Sequence, residues 1–313
     1  MPFEKEPKFY SGELIFVENI EDVADNTISF CSFDSKNIVV LSSPQECAIS
    51  DFEIHRNELT SEHTRREEYY STFEKLMEPI RSGRLKKVVL SKIKEAQITK
   101  DPIDIFNDLN AVYKNTFNYL FSSKEMGCWM GATPELLLKS EENKIETVSL
   151  AGTLLQNEDW TEKEQEEQQY VTDFIVSNLE NQGYEEVKTD GPNDLSNGIV
   201  KHLKTSISAQ AGNETSFLKT LESLHPTPAT CGIPTAEAKE LILKNEAHHR
   251  KLYTGFILLN EENPKAFVNL RCMEVSDSKA HLYLGGGLIE KSDADDEWEE
   301  TERKAQTLER FLR

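Results

Sequence analysis

The stretch that most constrains this chain lies near its C-terminus. An apolar run, His281-Leu282-Tyr283-Leu284, meets three consecutive glycines, Gly285, Gly286 and Gly287, and then an acid-rich segment from Ser292 to Thr301. Ser292 or Asp293 reads as the N-cap of a helix running to about Phe311, and the acids behind it suit the positive end of a helix dipole. Glycines let a backbone approach a ligand closely and aim N–H groups at an anion. Glu297 and Glu300 are three apart and share one helix face. The pattern offers an anion-binding turn beside a carboxylate face, suited to a carboxylate substrate bridged by a divalent metal. A glycine-rich turn followed by a solvated acidic helix satisfies the same residues, and the stretch alone leaves both open.

Charge narrows the partners. The formal net charge of −21 argues against nucleic acid, which rewards basic surfaces. An anionic ligand would need local positive potential from a metal, an Arg or Lys, or backbone amides. The 313 residues suffice for a large core, and 37% hydrophobic with 29% charged residues describes a soluble globular chain. No apolar run approaches the roughly 20 residues of a membrane span. Met1-Pro2-Phe3-Glu4-Lys5 lacks the basic and apolar regions of a signal peptide. Five scattered cysteines without C-x-x-C spacing indicate neither a zinc site nor a disulfide framework, so a cytoplasmic setting is expected.

Residues 1–60 read as short strands and turns, a scaffold portion without evident chemistry. A helix over 61–80 leads to a β-branched strand over 85–93, whose apolar run Lys87 opens. Such a lysine is either exposed at a strand end or, if buried, a candidate general base. Asp101-Pro102 starts a second helix. In Gly131-Ala132-Thr133-Pro134-Glu135 the carboxylate stands before three leucines. Burial would raise its pKa and make it a general acid, whereas a place on the rim would leave it ordinary. Ser149 to Thr153 reads as a small-residue turn where backbone could meet a ligand.

A long helix over 161–179 carries Glu164 and Glu167 on a side that grades into Val171 and Ile175. Two helices with glutamates three apart could supply both halves of an oxygen-rich Mg²⁺ site, or present two solvated faces. His225 sits in a loop stiffened by Pro226, Pro228 and Pro234, a setting that suits a positioned hydrogen bond. Strands are expected over 252–259, 266–275 and 280–284. Arg271 interrupts the second of these, either to grip an acid or a bound carboxylate or to face outward. Strands and helices mingle without a linker, so the reading is one α+β domain.

In order and spacing these residues resemble the chorismate-utilising enzymes, the family of isochorismate synthase, anthranilate synthase component I, aminodeoxychorismate synthase and salicylate synthase. The likeness covers residues 80–310. It rests on Lys87-Val88-Val89-Leu90-Ser91, Gly131 to Glu135, Ser149 to Thr153, Lys163-Glu164-x-x-Glu167, His225-Pro226-Thr227-Pro228-Ala229, Leu252-Tyr253-x-Gly255, Leu270-Arg271-Cys272, and Gly285-Gly286-Gly287 with Glu297-Trp298-x-Glu300-Thr301. Each motif is weak alone; together they are specific.

The resemblance implies a single chorismate-binding domain over residues 1–313, built of two large antiparallel sheets packed together with helices outside. It implies Mg²⁺ held by Glu167 and Glu300, supported by Glu164 and Glu297, and bridging to the ring carboxylate of chorismate. Ala151, Gly152, Thr153, Tyr253, Arg271, Gly285, Gly286, Gly287 and Lys291 match substrate-binding positions, with Tyr253 and Arg271 at the enolpyruvyl carboxylate. A lysine at Lys87 matches isochorismate and salicylate synthases, where it activates water; anthranilate synthases typically have glutamine there. Ala151 stands where aminodeoxychorismate synthases carry a nucleophilic lysine. The loop at His225 resembles isochorismate synthases.

The implied activity is Mg²⁺-dependent, reversible conversion of chorismate to isochorismate. Lys87 would activate water for attack on ring carbon 2, and Glu135 would protonate the hydroxyl leaving ring carbon 4. His225 would orient the ring, and Gly152 would contact the departing hydroxyl. A salicylate synthase is the runner-up, and an inert chorismate binder is the non-enzyme alternative. Nucleic acid, membrane and a glutaminase subunit are not expected as partners, and the resemblance leans to a monomer. The chain departs from the family in carrying Gln168 where many relatives have histidine, Gly-Gly-Gly for Gly-Ala-Gly, and a short N-terminal portion.

Overall fold

The structure, a computed structural model, describes residues 7–197 and 200–313. In chain order the elements are β1 (Phe9–Val17), β2 (Thr27–Cys31), β3 (Ile38–Cys47), α1 (Arg66–Arg81), β4 (Lys87–Gln97), α2 (Pro102–Val112), β5 (Phe117–Ser123), β6 (Gly127–Thr133), β7 (Leu136–Glu141) and β8 (Lys144–Leu155). They continue with α3 (Glu162–Asn181), β9 (Glu185–Asn197), β10 (Val200–Gln210), α4 (Phe217–Leu224), β11 (Gly232–Ile233), α5 (Thr235–Asn245), β12 (Phe256–Asn260), β13 (Lys265–Val268), β14 (Cys272–Val275), β15 (Lys279–Leu288) and α6 (Ala294–Glu309).

Two antiparallel sheets result. One runs β1-β3-β2-β12-β13-β7-β8-β10-β9 and the other β11-β4-β15-β14-β6-β5. The two-residue period of a strand sorts their side chains. Val39 joins Phe30, Ile93, Trp129, Tyr253 and Tyr283 in the layer between the sheets. Its neighbours Ile38 and Val40 turn outward onto the cluster that holds Val171, Ile175 and Leu179 of α3 and Leu221 and Leu224 of α4. On the second sheet Val88, Leu90 and Leu288 pack under α1 and α5, while Leu282 and Leu284 pack under Ala305 and Leu308 of α6. The described helices thus cover the outer faces and leave the inner faces to one another.

Helix starts follow local chemistry. Asp101 accepts the Ile103 amide and Pro102 takes the first turn of α2. Asp293 accepts the amides of Asp295 and Asp296 at the start of α6.

Several boundaries differ from the sequence reading. The glycine triplet lies inside β15, paired with Ser91, Leu90 and Val89 of β4, and not in a turn after it. Ser149 to Thr153 likewise lies inside β8, against β10, with a register shift between His202 and Leu203. The expected strand over 266–275 is two strands in different sheets. Arg271 stands at the crossing with φ +47°, so it ends one strand's approach and begins the other's. The strand expected from Leu252 begins at Phe256, because a turn with positive φ at Lys251 and Thr254 precedes it.

Candidate active site

Lys87 opens β4 with its side chain 7% exposed, and its Nζ lies 2.7 Å from Glu167 Oε1 on α3. Gly287, across the ladder on β15, makes room for both. A Cβ added there would come within 2.7 Å of Lys87 Cε and 3.5 Å of Glu167 Oε1. Glu135 lies between β6 and β7, buried, where its backbone oxygen accepts the Val268 amide and its own amide donates to Thr133 Oγ1. Burial pushes its carboxyl up to about 7, and the nearby Lys87 charge opposes the rise. A buried ammonium and a buried carboxyl of raised pKa therefore share one electrostatic environment.

The two acidic helices converge on consecutive glycines of β15. A Cβ at Gly286 would meet Glu297 Oε2 at 2.7 Å, and Glu297 Oε1 accepts the Ser292 hydroxyl at 2.7 Å. Glu300 Oε1 pairs with Lys304 Nζ at 2.6 Å, and Lys304 also donates to the Gly285 carbonyl at 2.9 Å. Glu164 is buried and closes the N-terminus of α3, accepting the Thr161 amide at 3.1 Å and the Thr161 hydroxyl. These are hard oxygen donors on two helices, set against a strand whose glycines leave space for Glu167 and Glu297. Among the described residues no three His, Cys, Asp or Glu side chains form a ready-made metal cage. A pair of carboxylates completed by water and substrate oxygens is how Mg²⁺ is ordinarily bound, so the donor set fits that ion.

Around this centre the substrate-binding positions fall unevenly. Tyr253 is buried and turns its hydroxyl toward Gly285, 2.8 Å from where a Cβ would be. Gly152 adopts φ +70° against Glu164, and a Cβ there would lie 3.1 Å from that side chain's own Cβ. Ala151 is buried in the core under α3. The Thr153 side chain lies outside the described set. Arg271 is partly buried, and desolvation lowers its pKa. Lys291 is exposed in the turn between β15 and α6. His225 keeps to other company. Its Nε2 lies 3.3 Å from the Ser32 carbonyl and its ring stands edge-on to Phe256. Desolvation pushes it down to about 4, Lys239 adds to the fall and the Ser32 carbonyl opposes it.

A second histidine joins the site that the sequence reading passed over. His202 on β10 places Nδ1 3.3 Å from the Gly152 carbonyl. Desolvation lowers its pKa first, the Gly152 carbonyl opposes, and the charges of Arg271, Lys304 and Glu300 all act on it. It therefore belongs with those residues. The only signal in the sequence was an imidazole among the serines and threonines of a strand, and nothing local separates that from an ordinary strand residue.

Comparison with known proteins identifies the family and the fold. A family described as chorismate binding enzyme matches residues 34–313. Isochorismate synthase EntC of Escherichia coli strain K12 is 28% identical over 240 residues, covering 71% of this chain and 61% of that protein. The chain thus spans about six tenths of that relative's length. Among solved structures, MenF, the menaquinone-specific isochorismate synthase of Escherichia coli, superposes with TM-score 0.81 at 20% identity, over 99% of this chain and 89% of that one. Anthranilate synthase component I of Streptococcus pneumoniae superposes with TM-score 0.75 at 18% identity, over 92% and 81%. The same architecture thus serves relatives named for different products. No described helix is long and apolar enough to cross a membrane.

Proposed function

The chain belongs to the chorismate-binding enzymes, and from that premise we propose that it is an isochorismate synthase, converting chorismate reversibly to isochorismate with Mg²⁺. The observation that carries the reading is the pair Lys87 and Glu135. Both are buried, and the carboxyl is pushed up to about 7, so it keeps a proton to give near neutral pH. A protein that only bound chorismate would have no use for an acid facing a base.

Lys87 acts in its neutral amine form, after giving up the proton it holds in its ion pair with Glu167, and accepts a proton from water as that water's oxygen bonds to ring carbon 2. The ring double bonds shift, and the bond from carbon 4 to its hydroxyl breaks. Glu135 gives that hydroxyl its proton and water departs. One water enters and one leaves, so the ring is isomerised and not oxidised. Tyr253, Arg271 and the β15 backbone hold the carboxylates, and Gly152 lines the ring with His202 behind it. Glu167 and Glu300 would hold Mg²⁺, which supplies positive charge to the ring carboxylate inside a chain of net charge −21. We propose further that the enzyme acts as a cytoplasmic monomer without a glutaminase subunit, since water is the nucleophile.

The test is incubation of purified protein with chorismate, with and without Mg²⁺, and chromatography of the products. Isochorismate that needs Mg²⁺ and stops at an equilibrium mixture is expected. Salicylate with pyruvate would replace this reading by a salicylate synthase, and untouched chorismate bound by folded protein would replace it by an inert binder.

A further inference from the structure

A buried ion pair outside the reacting centre makes contact with each segment that carries a proposed site residue on the second sheet's edge. The guanidinium of Arg250 uses all five of its N–H donors. Nε donates to Glu246 Oε2 at 2.8 Å, and Nη2 to Glu246 Oε1 and to the Val89 carbonyl, each at 2.7 Å. Nη1 donates to the Thr230 carbonyl at 2.9 Å and to Thr254 Oγ1 at 3.3 Å. Phe33 lies 4.4 Å from the guanidinium carbon as a platform. Both side chains of the pair are only 2% exposed.

The placement of these bonds matters more than their number. Strand β11 pairs with β4 only at Lys87 and Val88. Beyond it the open edge of β4 is continued by other groups. Val89 donates to the Cys231 carbonyl, its own carbonyl accepts Arg250, and the Ser91 amide donates to Glu246 Oε1 at 2.7 Å. The pair therefore stands in for a missing strand, starting two residues from Lys87. At its other end the Arg250 carbonyl accepts the Tyr253 amide at 2.9 Å, closing the turn whose Thr254 the guanidinium also holds.

We propose that Arg250, locked by Glu246, is a positioning residue that fixes the Lys87 strand and the Tyr253 turn in one geometry. The inference rests on the roles given above to Lys87 and Tyr253. A lysine in its place offers a point charge that cannot span the five acceptors. An error of about 1 Å between base and substrate costs about 100-fold in rate.

The experiment compares Arg250→Lys and Thr254→Ala with the wild type, and Thr64→Val as a control. Thr64 Oγ1 accepts the Ile93 amide at 3.0 Å farther along the same edge. Well below its melting temperature, Arg250→Lys is expected to lose kcat by about 10- to 100-fold and to raise KM. Thr254→Ala, which frees only the turn, should raise KM and spare kcat, and it keeps the question open to test if Arg250→Lys does not fold. Thr64→Val should lower stability without moving either constant. Hydrogen exchange supplies a second readout independent of the reaction: the amides of Val89, Ser91 and Tyr253 should exchange faster in Arg250→Lys while the sheet elsewhere does not. Folded Arg250→Lys with kcat and KM within about twofold of the wild type, or exchange that rises evenly over the molecule, would overturn the proposal. Wild-type protein that makes no isochorismate would sink the functional reading instead, and the exchange pattern would still decide the structural claim.

Discussion

Glu135 is the residue on which the proposed chemistry and the stability of this protein meet. Its carboxyl titrates at about 7 when folded, against an ordinary 4.5, because burial disfavours the anion more than Lys87 favours it. Below pH 4.5 folded and unfolded chains both carry this proton. Between 4.5 and 7 only the folded chain does, so stability contributed by this group falls as pH rises, by about 3 kcal/mol in all. Urea denaturation of Glu135→Gln should lack that fall when pH 5 and pH 8 are compared, whereas wild type shows it. In the mechanism proposed above the same proton is given to the leaving hydroxyl, so wild-type kcat/KM should decline as pH rises through about 7. Glu135→Gln should turn over at least about 100-fold more slowly at any pH. A Gln variant with near-wild-type kcat would remove Glu135 from the mechanism. The sequence made this residue a candidate because a carboxylate ahead of three leucines is costly without a purpose. It could not do the same for His202, whose neighbours Gly152, Arg271, Lys304 and Glu300 come from three other places in the chain.

At the scale of elements, β15 organises the site. It brings Gly287 between Lys87 and Glu167, Gly286 against Glu297, and Gly285 against Tyr253. Replacing Gly287 by alanine would set a methyl 2.7 Å from Lys87 Cε. Backbone at this position is extended, so alanine brings no conformational strain, and the far end of a lysine can move. The expected result is a protein as stable as the wild type within about 1 kcal/mol that has lost at least about tenfold in kcat. Thermal unfolding and steady-state kinetics on one preparation check both halves; an active Gly287→Ala would mean that Lys87 tolerates displacement and is not the base. The glycines and both acidic helices were legible because their residue types and spacing are local properties. That the glycines continue a strand was not, since three residues without side chains carry no alternation, and pairing with Val89 to Ser91 is a contact across almost two hundred positions of sequence. The split of 266–275 was hidden for a similar reason. Both faces of each strand are covered, with Ala266 and Val268 under α3, Cys272 between the sheets and Met273 and Val275 under α6, so passing from one sheet to the other at Arg271 leaves the hydrophobic run nearly intact.

For the molecule as a whole, the question is how a chain of net charge −21 would admit the anionic substrate proposed for it. On the proposal above, attraction comes from Lys87, Arg271, Lys304 and the β15 backbone in the site, and it acts only over short distance. Repulsion comes from the whole surface and acts along the approach. Salt separates the two, because screening weakens long-range interactions between exposed charges far more than contacts in a buried pocket. Raising NaCl from 0.01 to 0.15 M shortens the Debye length from about 30 to about 8 Å. With Mg²⁺ kept saturating, so that weaker metal binding does not intrude, kcat/KM for chorismate should therefore rise with salt while kcat stays level. This is the reverse of an enzyme that steers its substrate in. A fall of kcat/KM over the same range would mean that positive potential extends from the site to its mouth and governs approach despite the total charge. A level kcat/KM would mean that encounter is too fast, relative to chemistry, for the surface field to matter.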